Sequence, residues 1–530
     1  DEIVRTVNGD ELYTSPAQDL AFAAPLLASA TPAEVNAAMK RAFDEHGPIL
    51  FRSAQQAPAG EAALASALAA AYSRPLGPEV KEAAIRWPYT SFGKPGGVVS
   101  RTTDAKLGTT LVRFANGTRL LVKPTKYEKD KIAVAVLMGN GRAGVAPADT
   151  HAIWEGTFYP YAGTKKLPFS AITQWTEESG KVVSIALQPG NRAFVLTGNT
   201  RPSDLLSQMQ LLDAYARDPG FRPEAYEKVK SVAPMLIGQI AGQPGAVYSR
   251  EALSLAVGND PRFQQIPSDA DLAKAGPRDL PDLLAKPLAG QADVVMVGDI
   301  TVPQAIKAVQ ATFGSGPGAS HIATVEPHVT MVPGRAEPYV AEHAGRADQA
   351  FYGEFFQLPD YFADPKVDAV ADVASAIIST RLIDTVREKL GITYSPQVQA
   401  ESSDEIPGEG FLGVTLETPP TNFDKFHALL ADQLRDLASK PVSDDELVRA
   451  RQPLIETERK SRETNNFWMW KLAATLRDPR IETETLTRID RLSAVTSADV
   501  QALIAKYVAG KQPVIVIAKA KPSASAAGSN

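Results

Sequence analysis

One segment occurs three times along the chain, and its spacing constrains the fold more than any other feature. Residues 31–54 read TPAEVNAAMKRAFDEHGPILFRSA, residues 276–299 read GPRDLPDLLAKPLAGQADVVMVGD, and residues 496–519 read TSADVQALIAKYVAGKQPVIVIAK. They align without a gap, at offsets of 245 and 220. Self-similarity at so long a period means repeated modules of that size. Each copy predicts a helix followed by a strand. Thr31 with Glu34, and Thr496 with Asp499, have the spacing of capping boxes, with Pro32 at a first helical position. Val35, Ala38, Met39, Ala42 and Phe43 correspond to Leu280, Leu283, Leu284, Pro287 and Leu288, and to Val500, Leu503, Ile504, Tyr507 and Val508. That spacing puts each set on one helix face. Pro287 is expected to end or kink its helix. The apolar runs 49–51, 294–297 and 514–517 are short and mostly β-branched, and predict core strands. A second register agrees: residues 204–230 resemble 425–451, pairing Pro219 with Pro441 and Glu224 with Glu446 at an offset of 222.

The repeat divides the 530 residues. Residues 1–58 are expected to be the C-terminal tail of an upstream module, because the first copy stands without a module body. Residues 59–107, an Ala-rich helix and then Pro/Gly-rich sequence, read as a linker. Residues 108–335 form the first complete module and open on a hairpin around Asn116-Gly117. Residues 336–522 form the second, and 523–530 read as a disordered tail. Strand-rich starts followed by long helical stretches predict an α+β class, with helices on one face of a largely antiparallel sheet.

Composition removes several functions. A net charge of −6 without a basic cluster argues against a nucleic-acid surface. No apolar run reaches about 18 residues, so no membrane span is expected. The chain has no cysteine, which excludes disulfides, thiolate zinc ligands and thiol catalysis. That composition fits a bacterial periplasmic protein and also many cytoplasmic ones.

Three segments offer chemistry. Gly139, Gly141 and Gly144 match G-x-G-x-x-G, but a hairpin precedes them where a dinucleotide site requires a βαβ unit, so a Gly-rich turn is expected. His151 and Glu155, four apart, read as a solvated helix pair or as two ligands of a metal that needs three or four. Residues 365–401 predict a long helix with Val370, Val373, Ile377, Leu382, Val386 and Leu390 on its apolar face and Gly391 as its cap. Arg387 then falls in the last turn and Tyr394 at the next strand. Such a pair can hold a peptide carbonyl or an oxyanion. Equally, the arginine can serve the helix C-terminus while the tyrosine packs in the core.

The hairpin LVRFANGTRLLV, the stretch GTKKLPFSAITQWTEESG, VVMVGD and REKLGITY resemble the pitrilysin/insulysin family of zinc metallopeptidases. The resemblance implies four related modules in two halves that close around a peptide, with zinc held by an H-x-x-E-H motif. In the register set by Gly163-Thr164, that motif falls here on Trp154, Thr157 and Phe158, none of them a zinc ligand. The chain is therefore identified as the C-terminal, non-zinc half of a metalloendopeptidase and is expected to be inactive alone. Zinc would be bound by an N-terminal zinc-bearing half or subunit and not by this chain. Arg387 and Tyr394 would touch the peptide substrate and transition state at the partner's site. The alternative within the family is a non-catalytic assembly subunit. A third reading is a peptide-binding protein acting alone.

Overall fold

The computed structural model describes residues 6, 9, 12–44, 49–52, 60–74, 84–390 and 396–522. The chain forms two compact units, Asp1–Glu82 and Ala83–Asn530. The first contains α1 (Pro16–Ser29), α2 (Pro32–Asp44) and α3 (Glu61–Ser73). Helix α2 is the first repeat helix and its capping box is made: Thr31 N donates to Glu34 Oε2 at 2.8 Å, and Glu34 N to Thr31 Oγ1 at 3.3 Å. Its apolar face is open, with Val35, Met39 and Phe43 at 53%, 54% and 67% exposure. The strand expected at 49–51 does not form; Ile49 is 98% exposed and Phe51 86%. A strand exists through its ladder, and the described residues of this unit supply no second strand.

The second unit holds two modules, each built on one sheet. The first contains β1 (Val98–Asp104), β2 (Thr109–Phe114), β3 (Arg119–Pro124), β4 (Ile132–Met138), β5 (Ala186–Pro189), β6 (Phe194–Thr200) and β7 (Ala292–Gly298). Its helices are α4 (Phe169–Ser179), α5 (Leu205–Arg217), α6 (Pro223–Gly242), α7 (Pro244–Ala256), α8 (Asp269–Lys274), α9 (Asp279–Ala289) and α10 (Val302–Gln310). The second contains β8 (Tyr339–His343), β9 (Phe351–Gln357), β10 (Gln397–Ser402), β11 (Gly410–Glu417) and β12 (Val514–Ala520). With them go α11 (Pro365–Leu390), α12 (Phe423–Ser439), α13 (Asp444–Ser461), α14 (Asn465–Arg477), α15 (Arg480–Ala494) and α16 (Ser497–Tyr507).

The strand orders are β1-β2-β3-β7-β4-β6-β5 and β10-β11-β9-β12-β8. Reversed, the second sheet reproduces the last five positions of the first. The repeat strands β7 and β12 each lie between a parallel neighbour, β3 or β8, and an antiparallel one, β4 or β9. The other pairings are antiparallel. The α+β class and the largely antiparallel sheets stand as the sequence predicts. Pro287 sits in the last turn of α9, which ends two residues later.

One boundary moves. Within the segment 59–107, taken from sequence as a linker, Val98–Asp104 is a strand paired with β2. Ahead of it, Trp87 stacks on Trp175 at 4.4 Å and Tyr89 Oη donates to Asp218 Oδ2 at 2.7 Å. Residues 98–103 of β1 are exposed, so this edge strand carries no core residue and leaves no hydrophobic signature in sequence.

Helices also lie on both faces of each sheet rather than one. One face of the first sheet buries Val112, Leu120, Val134 and Met296 against α5, α9 and α10 of its own module. The other, with Leu121, Ala135, Leu137 and Val295, is covered by Trp468, Met469, Leu472 and Ala473 of α14, from the second module. Reciprocally, Phe355, Phe411 and Val516 of the second sheet meet Val247, Tyr248, Leu255 and Ala256 of α7, from the first. Helices α7 and α14 are repeat equivalents, 244–256 against 465–477 at an offset of 221. Each module thus lends the same helix to the other's sheet. All seven residues of β4, IAVAVLM, are buried, as a strand covered on both faces must be.

Candidate functional site

In the metal-motif register, Trp154, Thr157 and Phe158 lie on a 3₁₀ segment, Trp154–Ala162, that follows another, Pro147–Ala152. Prolines 147 and 160 favour these tight turns over a regular α-helix. Thr157 Oγ1 donates to the Trp154 carbonyl at 2.9 Å, and the Trp154 and Phe158 rings meet edge-on at 5.7 Å. Together with Arg142, Pro261 and Gln264 they line a cleft of about 260 Å³. An indole N–H, a hydroxyl already in use and a phenyl ring do not fit zinc, which takes imidazole, thiolate or carboxylate. Among the described residues, no group of three or more His, Asp or Glu could hold a metal ion.

His151 and Glu155 are neither solvated nor on an α-helix; they are 8% and 1% exposed. Both meet Asp279, at the start of repeat helix α9. His151 Nε2 lies 3.1 Å from Asp279 Oδ2, which also accepts from Gly276 N at 2.8 Å. Burial, and after it the Asp279 charge, pushes the Glu155 carboxyl up to about 8, so it stays protonated near neutrality. The His151 Nδ1 and Glu155 Oε1 atoms are buried without hydrogen-bond partners. Spacing alone could not reveal Asp279, which reaches the pair from more than a hundred residues away.

The long helix α11 forms, and Val370, Val373, Ile377, Leu382 and Val386 are buried in the second module's main core. Arg387 falls in its last turn. Tyr394 and the expected cap Gly391 lie outside the described residues. The chain is next described at 396, leading into β10. From the end of β10, the segment 401–409 carries four acids, and an ion-pair network holds it to the helices. Lys471 Nζ bridges Asp404 at 2.8 Å and Glu484 at 2.9 Å. Arg491 reaches Asp368 at 2.6 Å and Glu484 at 3.2 Å, while Arg488 pairs with both Asp368 and Asp372. Burial lifts Asp372 to about 6, against the pull of Arg488. Asn191 Nδ2, from the first module, donates to Glu405 Oε2 at 2.8 Å. The network contains no nucleophile; it fixes α11, α14, α15 and the β10–β11 connection relative to one another. Sequence reading missed it because its members come from five separate segments that only the fold brings together.

Residues 289–454 match the family model described as the peptidase M16 inactive domain. No curated protein matches the chain by sequence. Among solved structures, a mutant of the ferredoxin protease FusC, in complex with Arabidopsis ferredoxin, aligns over 98% of this chain and 57% of its own, at TM-score 0.66 and 16% identity. The periplasmic protease PqqL from Escherichia coli aligns over 98% of this chain and 58% of its own, at TM-score 0.63 and 14% identity. A chain of complex III2 from Candida albicans aligns over 79% of this chain and 95% of its own, at TM-score 0.56 and 13% identity. At such identities the likeness is one of fold. The chain spans less than two thirds of the two proteases.

Proposed function

Since this chain belongs to the M16 peptidase family through its inactive, non-zinc domain, we propose that it is the non-zinc half of a two-half metalloendopeptidase. The inactive-domain match carries this reading, and the metal-register residues Trp154, Thr157 and Phe158, unable to bind zinc, support it. The metal and the carboxylate that activates its water would belong to an N-terminal zinc-bearing half or subunit. This chain's part is to wall a peptide chamber, exclude water and orient the substrate. Arg387 and Tyr394 are the proposed contacts: a guanidinium fork and a phenolic O–H can each donate to a peptide carbonyl as charge develops on it. Assembly with the zinc-bearing half should yield zinc-dependent peptide cleavage absent from either part alone. In that assembly, Arg387→Ala and Tyr394→Phe should each lower kcat by about 10²–10³, the usual cost of one oxyanion donor, with zinc content unchanged. Unaltered kinetics in both variants would sink the assignment.

The match to a complex III2 chain favours a second reading, a non-catalytic assembly subunit of the same fold. Co-purification decides between them. A partner bearing H-x-x-E-H and hydrolysing peptide supports the first, and a stable complex lacking both supports the second. A periplasmic location is part of the first reading, in keeping with PqqL; recovery in the cytoplasmic fraction would refute it.

A further inference from the structure

Across three adjacent strands of the first sheet runs a row of charges. Arg113 of β2 stands directly opposite Arg119 of β3, and Arg119 stands opposite Asp293 of β7. They share the face covered by α14, whose last residue, Arg477, closes over the row. Arg119 Nε and Nη2 each donate to one Asp293 oxygen at 2.6 Å, so that carboxylate is engaged at both atoms. Arg477 Nη2 lies 3.3 Å from Asp293 Oδ2 without a hydrogen bond. The Nε and Nη2 atoms of Arg477 are buried and have no hydrogen-bond partner. Among the described residues the Arg113 side chain has no ion-pair or hydrogen-bond partner, and it is exposed. Around these groups, with Gln291 and His321, is a cavity of about 280 Å³.

As a purely structural arrangement this is unfavourable. Like charges directly opposed across a strand pair cost roughly 0.2–1 kcal/mol. A guanidinium withdrawn from water with free donors costs more. Arg119 and Arg477 meet one carboxylate, and the exposed Arg113 adds a third positive charge at the same cavity, so two positive charges there have no carboxylate of their own. Guanidinium forks match oxyanions that accept two hydrogen bonds side by side. A phosphate group carries about −1.5 to −2 at neutral pH, which balances that excess where a single carboxylate does not. The volume falls just below the range of drug-sized ligand sites, which run from roughly 300 Å³ upward, as suits a ligand as small as phosphate.

We propose that Arg113, Arg119 and Arg477 form a binding site for a phosphate-type dianion, either free phosphate or the phosphate end of a small ester, at the seam between the two modules. The test titrates inorganic phosphate into the full chain at constant ionic strength, followed by calorimetry, with acetate and glycerol phosphate as parallel arms. Saturable phosphate binding at one site is expected, with acetate at least tenfold weaker. Glycerol phosphate tighter than phosphate assigns the site to an ester, and the reverse assigns it to the free ion. Arg113→Met and Arg477→Met should each weaken binding by about 10- to 100-fold, the range of one or two charge-assisted hydrogen bonds. In phosphate-free buffer Arg477→Met should melt no lower than the parent, because the lost guanidinium had buried donors unpaired. Should Arg477→Met fail to fold, Arg113→Met decides alone, since Arg113 has no partner to lose. Phosphate heats no larger than the chloride control, acetate binding as tightly as phosphate, or unchanged affinity in Arg113→Met would each overturn the proposal.

Discussion

Single residues show where this chain stores cost. Glu155 is held protonated by burial and by Asp279, with its carboxyl near 8 against an ordinary 4.5. The folded protein therefore keeps a proton that the unfolded chain releases between those values. Its contribution to stability is full below about pH 4.5 and is lost as pH rises toward 8. Glu155→Gln keeps the shape and removes the titration. Urea unfolding should find the variant more stable than the parent at pH 8, by on the order of 3 kcal/mol, and little changed at pH 4.5. A variant destabilised equally at both would show that the charge state is irrelevant. Tyr248 stores a second cost. Its hydroxyl is buried without a partner, and a Cβ on Gly353 would stand 1.8 Å from that oxygen, so only glycine fits beneath it. Tyr248→Phe should be neutral or stabilising by about 1 kcal/mol in thermal unfolding, since no hydrogen bond is lost.

At the scale of elements, what could be read in sequence was whatever has a local cause. Capping boxes and 3.6-residue periodicity located the three repeat helices, because a helix closes its hydrogen bonds within itself. The run IAVAVLM reads as a strand, but its burial on both faces comes from helices of both modules, and nothing in NNFWMWKLAATLR says which sheet that helix covers. The peptide 49–51 has the composition of a strand and is none, because ladders are made by partners. The metal-register residues were legible by counting from Gly163-Thr164. His151 and Glu155 were misjudged because Asp279 reaches them through the fold. Tyr394 stands outside the described residues, so its pairing with Arg387 rests on the resemblance alone. The lent helices give a direct test: Leu472 of α14 and Leu255 of α7 are each 1% exposed. Truncating either to alanine should cost about 2–5 kcal/mol in denaturant unfolding, although each belongs to the module whose own sheet it does not cover. A cost below 1 kcal/mol for both would mean that the second faces contribute little.

For the whole molecule, exchange of equivalent helices ties two modules into one thermodynamic body. Amide hydrogen exchange should report a single opening free energy for the slowest amides of β4 and β9, and Leu472→Ala should lower both together. Protection lost in β4 alone would mean separable modules. The two-module repeat, visible in sequence as an offset of about 220, suggests parts that could be traded one at a time between relatives. The crossed helices forbid it. A chimera joined at the connection between the modules would bring its own α14 to a foreign sheet and accept a foreign α7 on its own. Two cores would be mismatched by a single splice. Recombination in such a chain is expected to tolerate exchange of both modules together, and inheritance of the pair as one indivisible block.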